Sequence, residues 1–318
     1  SWGWVMITEE SLVTSLLVSR LVDNGTTPLK ASEYWGLSEK KSELLGKSLE
    51  DLIQMGIEKE LAERILQLFD RSTAFTFALT SYENQGIYVM TESDEDFPHR
   101  LRERLGNKSP ALFYVVGNRA LLNEAGVGVV GSRNVSPEGG EVAKQVAAKS
   151  VRLGYSVISG GARGVDQLAM SAAYESGGNV VGLLADSMQK TINNPETRRA
   201  LLEEESTVLL TPYSPEAPFN VGNAMGRNKL IYGMSHLTVV VATDEDKGGT
   251  WAGATESLRT GFGKVAVWQG AGEGPGNAAL VRKGAERLDD LEKIEEILAQ
   301  PDEIVIAPPD PSQEKLFE

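Results

Sequence analysis

The sequence predicts an α/β protein: a doubly wound, mostly parallel sheet with a small helical domain at its N-terminal end. Three observations carry this. From residue 126 onward, short β-branched runs alternate with helix-patterned stretches. Two of those runs end in glycine-rich turns, Gly131-Ser132-Arg133 and Ser159-Gly160-Gly161-Ala162-Arg163-Gly164-Val165-Asp166. Residues 8–70 show helical rather than β spacing. Near-continuous apolar strands separated by helices mark a parallel sheet covered on both faces.

In chain order, Leu12, Leu16, Leu17 and Leu21 fall at helical spacing and predict a helix over 8–22. Leu49, Leu52 and Ile53, then Leu61, Ile65, Leu66 and Leu68, predict one or two more over 49–70. The run Glu92-Ser93-Asp94-Glu95-Asp96 reads as a solvated acidic turn. Strands are expected at 111–116, 127–130, 155–159, 180–184, 207–211, 237–242 and 265–268, and helices at 137–153, 165–176, 196–204 and 250–261. Leu291, Ile294, Ile297 and Leu298 place a last helix over 288–299. The expected domains are therefore a helical one over 1–80, the sheet over 81–300 and an extended tail, rich in proline and acid, over 301–318.

Composition excludes several chemistries. The 318 residues contain no cysteine and only two histidines, His99 and His236, which argues against disulfides, thiolate metal sites, zinc sites and serine–histidine triads. No metal, cofactor or catalytic residue is expected. No apolar run approaches the ~20 residues of a membrane span, and Ser1–Met6 is too short and uncharged for a signal peptide. A cytoplasmic protein with no membrane partner is the expectation. The net charge of −14 is unevenly spread: −6 over 1–110, −1 over 111–270 and −7 over 271–318. The segment holding the glycine turns is near neutral, so a local basic groove is compatible with an acidic chain.

Glycines let a backbone approach phosphate closely, and a helix N-terminus aims N–H groups at it. Gly126-Val127-Gly128-Val129-Val130-Gly131 matches G-x-G-x-x-G, but its valines are the strand itself, whereas a dinucleotide fingerprint keeps its glycines in the turn after the strand. The better turns lie downstream. Gly131, Ser132 and Arg133 lead to Ser136, a natural N-cap before Pro137. Ser159, Gly160, Gly161, Arg163 and Gly164 surround a second arginine, with Asp166 placed to cap the next helix or orient Arg163. Gly226-Arg227-Asn228-Lys229 adds two cations before an apolar run, where the plain reading is a solvated helix start. Gly248-Gly249-Thr250 opens another helix, with Trp251 expected in the core.

The ordered set of these motifs resembles the DNA-processing protein A (DprA/Smf) family. It runs from Asp96-Phe97-Pro98 and Pro110 to Asn118, through Gly131 to Gly139 and Ser159 to Ala169, to Arg227-Asn228-Lys229-Leu230-Ile231 and Ser235. The resemblance covers roughly residues 8–270. It implies a Rossmann-like, dimeric, non-enzymatic binder of single-stranded DNA that helps load a RecA-type recombinase in natural transformation. Arg133, Arg163, Arg227 and Lys229 would line its pocket, and the backbone at Gly131, Ser132, Gly160 and Gly161 would meet phosphates. Three departures mark a divergent branch: Met170 where members carry histidine, Lys229 where they carry arginine, and Lys247 to Ala254 in place of Ser-Gly-Ser-Leu-Ile-Thr-Ala.

Two other functions fit the same residues. Gly248-Gly249-Thr250 with Glu256 is similar to the Pro-Gly-Gly-x-Gly-Thr-x-x-Glu motif of LOG-type phosphoribohydrolases, with altered spacing and no proline. That points to a nucleotide-binding sensor or nucleotide-processing enzyme. An interaction subunit with a vestigial pocket is the third.

Overall fold

The computed structural model describes residues 7–302. Most of the predicted tail, and Ser1–Met6, lie outside them. Helices are Glu9–Val18 (α1), Ala31–Leu37 (α2), Leu49–Gln54 (α3), Lys59–Phe69 (α4), Ser72–Glu83 (α5), His99–Leu105 (α6), Pro137–Arg152 (α7) and Val165–Glu175 (α8). They continue with Met188–Ile192 (α9), Pro195–Arg199 (α10), Val221–Met234 (α11), Gly248–Thr260 (α12), Asn277–Arg282 (α13) and Lys293–Ala299 (α14). Strands are Tyr88–Thr91 (β1), Leu112–Gly117 (β2), Gly126–Val130 (β3), Ser156–Ser159 (β4), Val180–Leu183 (β5), Thr207–Thr211 (β6), Leu237–Val240 (β7), Lys264–Trp268 (β8) and Glu286–Leu288 (β9). Among the described residues no helix is long and apolar enough to cross a membrane.

Two compact units divide the chain, Ser1–Glu124 with Asn179–Arg227, and Ala125–Gly178 with Asn228–Glu318. The first unit orders its strands β1-β2-β6-β5. Its β1–β2 and β2–β6 pairings are antiparallel and β5–β6 is parallel. The second orders its strands β4-β3-β7-β8-β9, every neighbour parallel. Its strand order turns back at β3, which places a topological switch between β3 and β7. In open α/β sheets, ligands bind beyond the carboxyl ends of the strands at such a switch. The central strands of this unit are buried on both faces, as a parallel sheet covered by helices requires.

The helices of the first unit gather around Leu17, Tyr34, Leu44, Leu52, Ile65 and Leu68, all fully buried. The helix predicted over 8–22 stops at Val18, with Ser19 extended (ψ 139°). Arg71, itself buried, explains the stop. Its guanidinium donates to the carbonyls of Ser19 (2.7 Å), Val22 (2.8 Å) and Leu16, so orphaned C=O groups at the end of α1 find a charged donor. Gly56, with φ +88°, separates α3 from α4 within the region predicted over 49–70. The acidic run is not a solvated turn. Glu92 accepts from the Tyr34 hydroxyl at 2.6 Å and pairs with Lys41, Asp94 accepts from Thr91 N–H at 2.8 Å, and Asp96 takes a two-pronged bond from Arg119 at 2.7 and 2.8 Å.

Asn277 is fully buried and uses both ends of its amide. Its Nδ2 donates to the carbonyls of Val241 (2.9 Å) and Trp268 (2.6 Å), and its Oδ1 accepts from Thr243 N–H (2.9 Å) and Gly274 N–H (3.2 Å). One side chain thus ties the ends of β7 and β8 to the loop that follows β8. The helix predicted over 288–299 begins only at Lys293, because Leu288 is spent on β9, paired in parallel with Trp268.

Replacing Asn277 exposes how much this packing depends on one amide. Asn277→Leu strands two buried backbone groups, Val241 C=O and Thr243 N–H, and two part-buried ones, and lowers stability by about 3 kcal/mol; a urea midpoint within error of the parent contradicts the account. The hydrogen bonds from Arg119 hold the Asp96 carboxyl below its usual range, against partial burial. A depressed carboxylate adds stability above its unfolded pKa (about 3.9) that is lost as pH falls through the folded value. Parent and Arg119→Gln therefore differ in urea midpoint at neutral pH and converge as pH falls through the folded value of the Asp96 carboxyl; a gap that persists once the carboxyl is protonated rules the pairing out as its source.

Candidate nucleic-acid interface

The G-x-G-x-x-G match is strand, as its valines indicate: Gly126–Val130 is β3. Its middle glycine serves packing. A Cβ on Gly128 would lie 2.7 Å from Ser235 Oγ and 2.9 Å from Thr238 Oγ1.

The turn after β3 and the turn after β4 do meet. Gly164 has φ +90°, and a Cβ there would lie 2.4 Å from the Ser132 carbonyl oxygen and 2.7 Å from that of Arg133. Val165 N–H donates to the Ser132 carbonyl at 3.3 Å. Across the two turns Arg163 Nη2 donates to Asn134 Oδ1 at 3.2 Å. Gly131 is equally confined, since a Cβ would lie 2.6 Å from Val165 Cγ2 and 3.1 Å from the Ala242 carbonyl oxygen. Arg133, Asn134 and Arg163 are exposed. The paired turns therefore present two guanidinium groups at the carboxyl ends of adjacent parallel strands.

Several of the neighbouring donors face inward. Ser132 N–H donates to the Ala242 carbonyl at 2.8 Å, and Ser132 Oγ accepts from Asn134 N–H at 3.1 Å. Ser159 is buried and its hydroxyl donates to the Val129 carbonyl at 2.8 Å. Gly160 N–H donates to Asp166 Oδ2 at 3.1 Å. Ser136 caps α7 as expected, its Oγ accepting from Gly139 N–H at 3.1 Å ahead of Pro137. Gly161 takes the left-handed backbone its sequence allows, with φ +69°, and its carbonyl accepts from Gln167 Nε2 at 3.2 Å. The amides of Ser132 and Gly160, expected to face phosphate, are thus engaged within the protein. Buried Asp166 fastens the second turn from below.

The third cationic group differs from its expected setting. Arg227 lies inside α11, not at a solvated helix start, and is 4% exposed. In the first unit its Nη1 donates to the Leu183 carbonyl at 2.6 Å, at the end of β5. Tyr213, in the same unit, donates to the Asn223 carbonyl at 2.8 Å; burial pushes its pKa up and the Arg227 charge pulls it down. In the second unit Lys229 is half-buried, and Asn228 packs on α12, where a Cβ on Gly249 would lie 2.6 Å from Asn228 Nδ2. Trp251 is buried, as expected. Sequence reasoning passed over Asn134 and the Ala242 carbonyl. Asn134 carries a weak signal, an amide directly after Arg133; the carbonyl carries none.

Among the described residues no group of three or more His, Asp or Glu side chains is placed to hold a metal ion. Two exposed guanidinium groups remain, each a planar fork of donors of the kind that matches phosphate oxygens.

The close approach at Gly164 can be tested by substitution. Gly164→Ala strains a left-handed residue and drives a methyl into two carbonyl oxygens, costing about 2–4 kcal/mol. Gly177 also has positive φ (+72°), but a Cβ there would meet no atom within 4 Å, so Gly177→Ala costs only about 1 kcal/mol. Equal urea midpoints for the two variants contradict the close approach.

Residues 88–299 match the family model of DNA recombination-mediator protein A, two thirds of the chain. The DNA processing protein DprA of Bacillus subtilis is 27% identical over 226 residues, covering 70% of this chain and 75% of that protein. The crystal structure of DNA processing protein A from Streptococcus pneumoniae superposes with a TM-score of 0.69 at 21% identity, covering 92% of this chain and 98% of the other. A Helicobacter pylori DNA processing protein A, described for its single-stranded-DNA binding mode, superposes with a TM-score of 0.53 at 22% identity, covering 66% and 95%. At those identities the two structures establish the fold. With the family model matching most of the chain, the motif resemblance is borne out: this chain belongs to the DNA recombination-mediator protein A family, the DprA/Smf proteins.

Proposed function

We propose that this chain binds single-stranded DNA without enzymatic turnover, gripping its phosphates with Arg133 and Arg163. The carrying observation is the close approach of Gly164 to Ser132 and Arg133, which sets two exposed arginines on one sheet edge. Support comes from family membership and from the Helicobacter pylori relative described as binding single-stranded DNA. Lys229 and Asn228 extend the polar surface of the second unit. Arg227, buried against Leu183, anchors α11 and acts on the strand through position rather than contact. The family resemblance further implies a RecA-type recombinase and a second copy of the chain as partners.

The nucleotide reading fares less well. A free nucleotide is held chiefly by a cradle of backbone amides at a helix N-terminus. Here the amides of Ser132, Gly139 and Gly160 donate within the protein. The exposed side-chain charge of Arg133 and Arg163 suits an extended run of phosphates.

The test is fluorescence anisotropy of a labelled oligothymidylate over a salt series, beside duplex DNA and adenine nucleotides. Affinity for the single strand falls steeply with salt, with a slope of about −0.7 per phosphate contact, and Arg133→Ala with Arg163→Ala removes roughly 1.4 from that slope. An unchanged slope in the double variant, or nucleotide binding tighter than the oligonucleotide, overturns the proposal.

A further inference from the structure

A second recess lies in the same unit, between the first turns of α7 and the loop after β8. Pro137, Val142, Ala271 and Trp268 line a groove of about 440 Å³, with Glu138 and Glu141 on its rim. That volume is at the small end for a ligand cavity and suits one side chain.

The groove is held in shape. The indole Nε1 of Trp268 donates to the Ala271 carbonyl at 3.0 Å, which fixes the ring. The loop is pressed onto α7 by two glycines: a Cβ on Gly272 would lie 2.2 Å from Gly139 N, and one on Gly139 would lie 2.7 Å from the Gly272 carbonyl oxygen. Glu138 and Glu141 stand three residues apart, hence on one face of α7. Both are exposed, and neither carboxylate has a cationic partner within salt-bridge distance among the described residues.

A fixed aromatic ring, an apolar floor and two carboxylates complement a cation on an apolar stem. An arginine matches best: its methylenes cover Pro137 and Val142, its planar guanidinium stacks on the indole, and its N–H groups reach the carboxylates. Phosphate is repelled by the same carboxylates, so the groove is no extension of the DNA-binding edge. We propose that this groove is a docking site for an arginine side chain of a basic protein partner, drawn in by the exposed Glu138 and Glu141 carboxylates beside the Trp268 ring.

The experiment follows the Trp268 indole N–H by NMR, assigned with Trp268→Phe, in the full chain. The probes are acetyl-Gly-Arg-Gly-amide, its citrulline counterpart, which keeps the shape and loses the charge, and an oligothymidylate. The arginine peptide shifts the Trp268 resonance saturably. The citrulline peptide, and the arginine peptide on Glu138→Gln/Glu141→Gln, bind about tenfold more weakly or less. No shift at millimolar arginine peptide, equal binding of citrulline, unaltered binding by the double variant, or an equal shift by the oligonucleotide overturns the assignment. DNA affinity, measured separately by anisotropy, depends on the arginine edge and not on this groove, so the two readings fail independently.

Discussion

The interface rests on one steric constraint: no side chain fits at Gly164. The backbone there runs hard against the Ser132 and Arg133 carbonyls, at a φ of +90°. Because the β4 turn can press against the β3 turn, Arg163 reaches Asn134 and two guanidinium groups share one edge. A β-carbon would force the turns apart and separate the charges. The glycine is therefore a geometric requirement of the charge pair, and the chain accepts the conformational entropy that glycine loses on folding.

That constraint also explains how an acidic protein presents a cationic surface. The overall charge of −14 sits mostly in the flanking segments, while residues 111–270 are nearly neutral. Within the edge, the carboxylate that follows the second turn, Asp166, is buried and turned to the Gly160 amide. At the two turns themselves the arginines are exposed and Asp166 is buried. Local potential then depends on which side chains are exposed, and the net charge of the chain decides little at this distance from the surface.

Much of this was legible in the sequence. The strands from β3 to β8 follow from β-branched runs, and the start of α7 follows from Ser136 and Pro137. The two turns were readable because three glycines around one arginine have few other uses. What escaped depends on partners far away in the chain. β1 is only four residues long and is defined by its antiparallel register with β2, such as Met90 opposite Phe113. α5 is rich in Ser and Thr and buries only Phe75, Leu79 and Tyr82, too thin a stripe to mark a helix. The burial of Arg227 depends on the Leu183 carbonyl, 44 residues earlier. Short edge strands and buried cations lack a local period, and the i, i+4, i+7 stripe of α5 is thin and blurred by the exposed Phe77, so local reading misses them.

The direction of the backbone donors bears on what kind of ligand the edge can read. Amides aimed outward grip a phosphate at a fixed point and favour a compact ligand of defined geometry. Here Ser132, Gly139 and Gly160 close their amides on Ala242, Ser136 and Asp166, while the long side chains of Arg133 and Arg163 are exposed. Side chains of that length tolerate variation in phosphate spacing, and contacts to phosphate carry no base information. A flexible strand, whose phosphates have no fixed spacing, gains from that tolerance, whereas a mononucleotide gains nothing from it. The inward amides of Ser132 and Gly160 and the exposed arginines thus belong to one turn pair, packed closely at Gly164.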